Sequence, residues 1–118
     1  MSQRGDIVLV EIPFYDRPGS KERPAVIVQC NRNNARLLST LVAGLTTNIR
    51  RVATEPTQFL IDPATSHGAS AGLSYASAVK CENLATIPQT DIVDTIGQLS
   101  DPLKGQLNDG LKAALDLP

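Results

Sequence analysis

The segment Pro24-Ala25-Val26-Ile27-Val28-Gln29-Cys30 constrains the fold most: a short, nearly continuous apolar run that ends at once in the polar turn Asn31 to Asn34. Its shortness and β-branching favour a strand buried on both faces over a helix. Similar strand-like stretches surround it. Ile7 to Ile12 follows the Gly5-Asp6 turn and is stopped by Pro13, and Leu37 to Leu45 runs out into Thr46-Thr47-Asn48. Thr57 to Asp62 is extended, and in Ser77 to Cys81 the residues Ala78 and Lys80 alternate against Val79 and Cys81. The stretches from Tyr15 to Glu22, around Pro18-Gly19-Ser20, and from Pro63 to Gly72 read as loops. Ile92 to Leu99 fits either a short strand or a helical turn. At the C-terminus, Asp101 can cap a helix and Pro102 suits its first position, while Leu103, Leu107, Leu111, Ala114 and Leu115 share one face. Gly105 and Gly110 each weaken that helix by roughly 1 kcal/mol relative to Ala, so it needs tertiary packing. Short strands followed by one amphipathic helix predict a mainly β domain over residues 1–118, a strongly curved sheet or small barrel with a covering helix.

Two Phe, two Tyr and no Trp leave the core to Val, Ile, Leu and Ala, and exclude a wide aromatic platform for stacking bases. No apolar run is long enough to span a membrane. The N-terminal Met1-Ser2-Gln3-Arg4-Gly5-Asp6 lacks the hydrophobic stretch of an export signal, which predicts a cytoplasmic protein with Cys30 and Cys81 reduced. Each cysteine lies in a β-like apolar run, where a free thiol behaves as a small hydrophobe. The net charge of −1 hides an asymmetry: residues 1–51 hold eight basic and four acidic residues, and residues 52–118 hold three basic and eight acidic. Such a split suits either a phosphate-binding basic face or merely two solvated surfaces.

The usual catalytic sets are missing. His67, the single histidine, lies in a small-residue loop without an evident carboxylate partner, and the Cys and His spacing fits no zinc site. There is no phosphate-binding glycine loop, no serine elbow and no acidic metal cluster. What remains are arginines and hydroxyls at strand ends. Arg23 precedes Pro24, which confines it to extended geometry at the predicted loop–strand junction. Its guanidinium offers five donors matched to phosphate oxygens, although an exposed Arg serves equally as a surface ion-pair former. Thr46 stands where the third strand ends, either as an exposed reactive-site hydroxyl or as a strand-end hydrogen-bonder.

Three blocks in order carry a family resemblance. Arg4-Gly5-Asp6-Ile7-Val8-Leu9-Val10, the Pro-Gly-Ser-Lys loop and Glu22-Arg23-Pro24-Ala25-Val26-Ile27-Val28 resemble the opening of the MazF/PemK/Kid toxins. Leu45-Thr46-Thr47-Asn48 resembles their second signature, and Ser77-Ala78-Val79-Lys80-Cys81-Glu82-Asn83-Leu84 opens the third. The resemblance extends from residue 4 to about 116. It implies an SH3-like small β-barrel with a C-terminal helix and a homodimer. It further implies a metal-independent, cofactor-free endoribonuclease that cuts single-stranded RNA at short motifs. A cognate antitoxin folding across the RNA groove would inhibit it, and DNA would be met only through that antitoxin.

Residue for residue, the resemblance places Arg23 and Thr46 as the active-site pair. Arg17, Lys21, Arg50 and Arg51 flank them in sequence and are candidates for RNA contacts, with Asn48 beside Thr46. Ser77 and Lys80 are further candidates. Where some relatives carry an acid in the loop this chain has Lys21, with Glu22 next to it either replacing that acid or pairing with a neighbouring charge. The identity of the proton-transfer groups stays open. A different class of function on the same barrel, a non-catalytic binder of a protein such as DNA gyrase, is the alternative, because fold alone does not settle function.

Overall fold

The computed structural model describes residues 2–14 and 16–118; Tyr15, the first residue of the loop expected from Tyr15 to Glu22, lies outside the described residues, as does Met1. The chain forms β1 (Asp6–Pro13), β2 (Ser20–Ile27), a short helix α1 (Asn31–Arg36), β3 (Ser39–Thr46), β4 (Gln58–Ile61), β5 (Ser77–Pro88), β6 (Ile92–Gln98) and the C-terminal helix α2 (Asp101–Leu115). The strands make one antiparallel sheet in the order β4-β5-β3-β2-β1-β6. This agrees with the expected mainly β architecture of a curved sheet with a covering helix.

Neighbouring residues along the central strands enter two different cores. Ile7, Val26 and Ala43 belong to one cluster with Val79, Cys81 and the α2 residues Leu103 and Leu107. Their neighbours Val8, Ala25, Ile27 and Val42 belong to a second cluster with Val10, against which Ile87 and Ile92 pack. Side chains of a strand alternate between its faces, so a sheet that curls around one core while a helix covers its back must be apolar on both sides. That is why β2 reads as an uninterrupted apolar run.

Several boundaries differ from the sequence reading. β2 begins at Ser20, not at Pro24, because Ser20 to Arg23 complete the ladder with β1. Pro24 is tolerated inside it since β3 joins β2 only from Ala25, leaving that flank without a ladder donor to lose. Arg23 therefore sits within a strand. Asn31 to Asn34 form the start of α1 instead of a turn, which leaves Cys30 exposed beyond the strand end. Asn34 is fixed in place: its side chain donates to Gln29 O at 3.0 Å and accepts from Thr40 Oγ1 at 2.7 Å. Ile92 to Gln98 resolves as a strand on β1.

The N-cap of α2 is Ser100 rather than Asp101; Asp101 lies in the first turn, where its negative charge complements the helix dipole. Ser100 Oγ donates to His67 O at 2.8 Å, tying the preceding loop to the helix. Leu103 and Leu107 are buried as expected, whereas Leu115 is exposed. The N-terminus is tied to the same helix, with Arg4 Nη2 2.7 Å from Asn108 Oδ1 and Arg4 Nε 3.0 Å from Val28 O. Arg4 thus serves the fold. Among the described residues no helix is long and apolar enough to cross a membrane.

The two helical glycines have opposite roles. A Cβ at Gly110 would lie 2.7 Å from Cys81 Sγ and 3.3 Å from Thr57 O, so the missing side chain lets α2 press onto β5; at Gly105 a Cβ would meet nothing within 4 Å. Gly105→Ala is expected to raise unfolding free energy by up to about 1 kcal/mol through helix propensity alone. Gly110→Ala is expected to lower it by about 1–3 kcal/mol through overpacking. Urea midpoints of the two variants, moving in opposite directions, check this pair.

Candidate functional site

A register break in β5 builds the site. Ala43 pairs with Leu84, but its neighbour Gly44 pairs with Lys80, so Cys81, Glu82 and Asn83 have no partners on β3. Extra residues of this kind bend a strand and re-aim its side chains. Cys81 turns inward against Gly110, and burial, aided by the charge of Glu82, pushes its thiol pKa up to about 11. It is an inert core residue, as the sequence suggested. Glu82 and Asn83 face two separate clefts on the site face.

The first cleft, about 170 Å³, is lined by Thr46, Asn48, Arg50, Arg51, Gln58, Lys80 and Glu82. Thr46 Oγ1 accepts from Asn48 N at 3.1 Å, and Asn48 Oδ1 in turn accepts from Arg50 Nε at 3.2 Å. The threonine hydroxyl thereby starts a chain of contacts that folds the strand end back and aims Arg50. Three cations meet one carboxylate here, and among the described residues none of the three cations has a carboxylate within ion-pair distance. Such an unneutralised pocket suits a phosphate.

Glu82 is held in its charged form. Burial opposes ionisation, but hydrogen bonds from Gln58 Nε2 (2.7 Å), from its own backbone amide and from Thr57 Oγ1 (2.9 Å), with the nearby Lys80 ammonium, outweigh it and keep the carboxyl below its ordinary pKa. Neither Gln58 nor Glu82 was a candidate from the sequence. The signal for Glu82 was present in Lys80-Cys81-Glu82, where a strand with Cys81 inward turns both flanking charges outward. Gln58 shows itself only once β4 pairs with β5, Gln58 opposite Lys80.

Arg23 lies outside this cleft but on the same face of the sheet. Residues directly opposite one another share a face, and Gln58, Lys80, Gly44 and Ala25 form one row across β4, β5, β3 and β2. Arg23 and Thr46 are each one same-face step beyond that row, on β2 and β3. Extending the β2–β3 register would set them opposite each other, just where that ladder ends. Arg23 lines a larger, mostly apolar cleft of about 440 Å³ and, on its other side, a cleft of about 350 Å³ with Arg17 and Lys21. Arg17 stacks its guanidinium 4.0 Å from the Phe14 ring centroid and lies 3.5 Å from Asp16.

The remaining sequence candidates lie elsewhere. Glu22 is opposite Glu11 on the other face of the β1–β2 hairpin, and lines none of these clefts. Ser77 is buried, its hydroxyl donating to Tyr75 O at 3.0 Å. His67 is exposed and offers its backbone carbonyl alone. Among the described residues no three His, Cys, Asp or Glu side chains gather as a metal site.

Residues 3–115 match the family model described as PemK-like, MazF-like toxin of type II toxin-antitoxin system. Endoribonuclease MazF9 of Mycobacterium tuberculosis is 32% identical over 124 residues, covering 99% of this chain and 98% of that protein. The Mycobacterium tuberculosis toxin MazF-mt6 superposes with a TM-score of 0.76 at 28% identity, covering 96% of this chain and 98% of its own. A mycobacterial endoribonuclease solved with its cognate antitoxin has the same fold, with a TM-score of 0.80 at 23% identity over 100% of this chain and 98% of its own.

The Glu82 network has a direct consequence for titration. A carboxyl with a depressed folded-state pKa contributes stability that is complete above its unfolded value and lost as pH falls through the folded one. Carboxyl-carbon NMR is expected to show Glu82 titrating below 4.5 in the intact protein and at a higher pH in Gln58→Ala, which removes one of its donors. Identical titrations in both proteins would contradict the role given to Gln58.

Proposed function

Because this chain belongs to the PemK-like, MazF-like toxins of type II toxin–antitoxin systems, we propose that it is an endoribonuclease toxin that cuts single-stranded RNA without a metal ion and is neutralised by a cognate antitoxin. In this reading it acts in the cytoplasm as a homodimer. The observation that carries it is the gathering of Thr46, three unpaired cations and one ionised carboxylate in a single cleft, on the sheet face that also bears Arg23.

These groups fit a transesterification that uses the substrate's own ribose. The 2′-oxygen attacks the adjacent phosphorus while the bond from phosphorus to the 5′-oxygen breaks, leaving a 2′,3′-cyclic phosphate and a 5′-hydroxyl. Glu82, kept as a carboxylate, takes the 2′-proton, and the Lys80 ammonium returns one to the departing 5′-oxygen. Negative charge grows on the phosphoryl oxygens in the transition state. Arg23 stabilises it with a guanidinium that stays charged throughout, and Thr46 supplies a hydroxyl to the same phosphate. Arg50 and Arg51 hold the neighbouring backbone, with Arg17 and Lys21 further along the strand. DNA has no 2′-hydroxyl and cannot start the reaction.

Purified protein is expected to cut an RNA oligonucleotide but not its all-DNA copy, at a rate unaffected by chelator. Arg23→Ala and Thr46→Ala are each expected to reduce the rate on the order of 10²- to 10³-fold while the proteins still fold. With Glu82 as the proton acceptor, the rate should stay level through neutral pH and fall only below the ordinary carboxyl value of 4.5. A magnesium requirement, or full activity in both variants, would refute the proposal.

A further inference from the structure

Asn83 is the one side chain of the register break that neither the core nor the proposed chemistry uses. Its amide lies over Gly44, where a Cβ would come within 2.8 Å of Asn83 Nδ2. Gly44 is the middle of the row that runs from Gln58 and Lys80 to Ala25, so the amide stands between the cationic cleft and Arg23. Among the described residues its amide has no hydrogen-bond partner. A donor and an acceptor side by side are thus left free at the centre of the site.

The cleft that Asn83 faces has a character unlike that of the Thr46 cleft. Much of its wall is aliphatic, formed by Val10, Pro24, Ala25, Val42 and Ile87, and its lining includes the carboxylates Glu11 and Asp91, neither of which has a cationic partner among the described residues. Apolar walls and carboxylates disfavour a phosphate. They suit the flat face of a nucleobase, whose edge presents the adjacent donor and acceptor that an amide can meet with two hydrogen bonds. Arg23 lines the same cleft, where its guanidinium matches the phosphate to which such a nucleotide is joined.

We propose that Asn83 is a specificity-determining residue: its amide, seated on Gly44, reads the edge of one nucleobase of the RNA target inserted into the aliphatic cleft beside Arg23. This rests on the RNA-cleaving function above, which supplies the substrate class. The absence of Trp and the scarcity of other aromatics fit the same picture, since the base is sandwiched between aliphatic walls and selected at its edge.

The test compares intact protein with Asn83→Asp, Asn83→Ala and Gly44→Ala on RNA oligonucleotides randomised over the target. Binding is read by anisotropy and cleavage by product sequencing. Asn83→Asp turns the donor into a second acceptor and is expected to shift preference at one position toward guanine, whose N1 and N2 both donate, by tenfold or more. Asn83→Ala is expected to abolish preference at that position alone. Gly44→Ala, which displaces the amide without removing it, is expected to relax the same position. Unchanged base preference in all three, with only a uniform loss of rate or binding, would overturn the proposal and leave the cleft for a side chain of a protein partner. Base-selective binding that shifts with Asn83, without cleavage by the intact protein, would support the role of Asn83 while refuting the nuclease.

Discussion

Of the three residues that β5 carries in excess between its pairings with Ala43 and Gly44, the first, Cys81, packs into the space that α2 leaves open at Gly110. Cys81 is the pivot. Packed under the helix with its thiol neutral, it anchors the start of the break, and the residues before and after the anchor are thrown outward. Glu82 is then caught by Gln58 of the neighbouring strand and by Thr57 just before it, while Asn83 comes to rest on Gly44. Core packing and site geometry are therefore one arrangement. A change that shifted α2 on the sheet would move the carboxylate and the amide together, with no residue of either cleft altered.

Electrostatics follow the same logic of placement. A chain of net charge −1 presents a cationic cleft because cations from distant segments converge while their potential partners are held away. Arg50 and Arg51 come from the turn after β3, and Lys80 from the otherwise acidic second half of the chain. The one carboxylate in their midst is engaged by neutral donors, so it does not cancel them through a direct pair. Meanwhile Arg4, a member of the basic N-terminal half, is drawn into the fold between Val28 and Asn108. The basic excess of residues 1–51 is therefore only partly delivered to this cleft, through Arg50 and Arg51.

Much of the architecture was legible because burial on two faces leaves a simple mark. The runs at Ile7 to Val10, Ala25 to Ile27 and Val42 to Ala43 are apolar at every position, and each supplies residues to both cores, with Leu9 alone belonging to neither cluster. The helix was readable from the spacing of Leu103 and Leu107. Boundaries were less so. Pro24 looked like a strand opener because proline usually punctuates, yet the ladder with β1 extends past it to Ser20, a fact that depends on β3 being absent on that flank. Asn31 to Asn34 looked like a turn, and are held as a helical segment by the buried bonds of Asn34 to Gln29 at the end of the preceding strand and to Thr40 at the start of the next.

By itself the sequence determined the strand-rich core, the covering helix, and the presence of Arg23 and Thr46 at informative places, since these depend on local periodicity, on proline's restriction of its neighbour and on recognisable blocks of residues. Only the tertiary structure decided that Gln58 and Glu82 join Thr46, that Ser77 turns inward, and that Asn83 lies over Gly44 in a cleft that Arg23 also lines. Each of those outcomes depends on which strand lies next to which and in what register. Register is set by the sum of contacts across strands far apart in the chain, and a one-residue slip would send every one of these side chains to the other face.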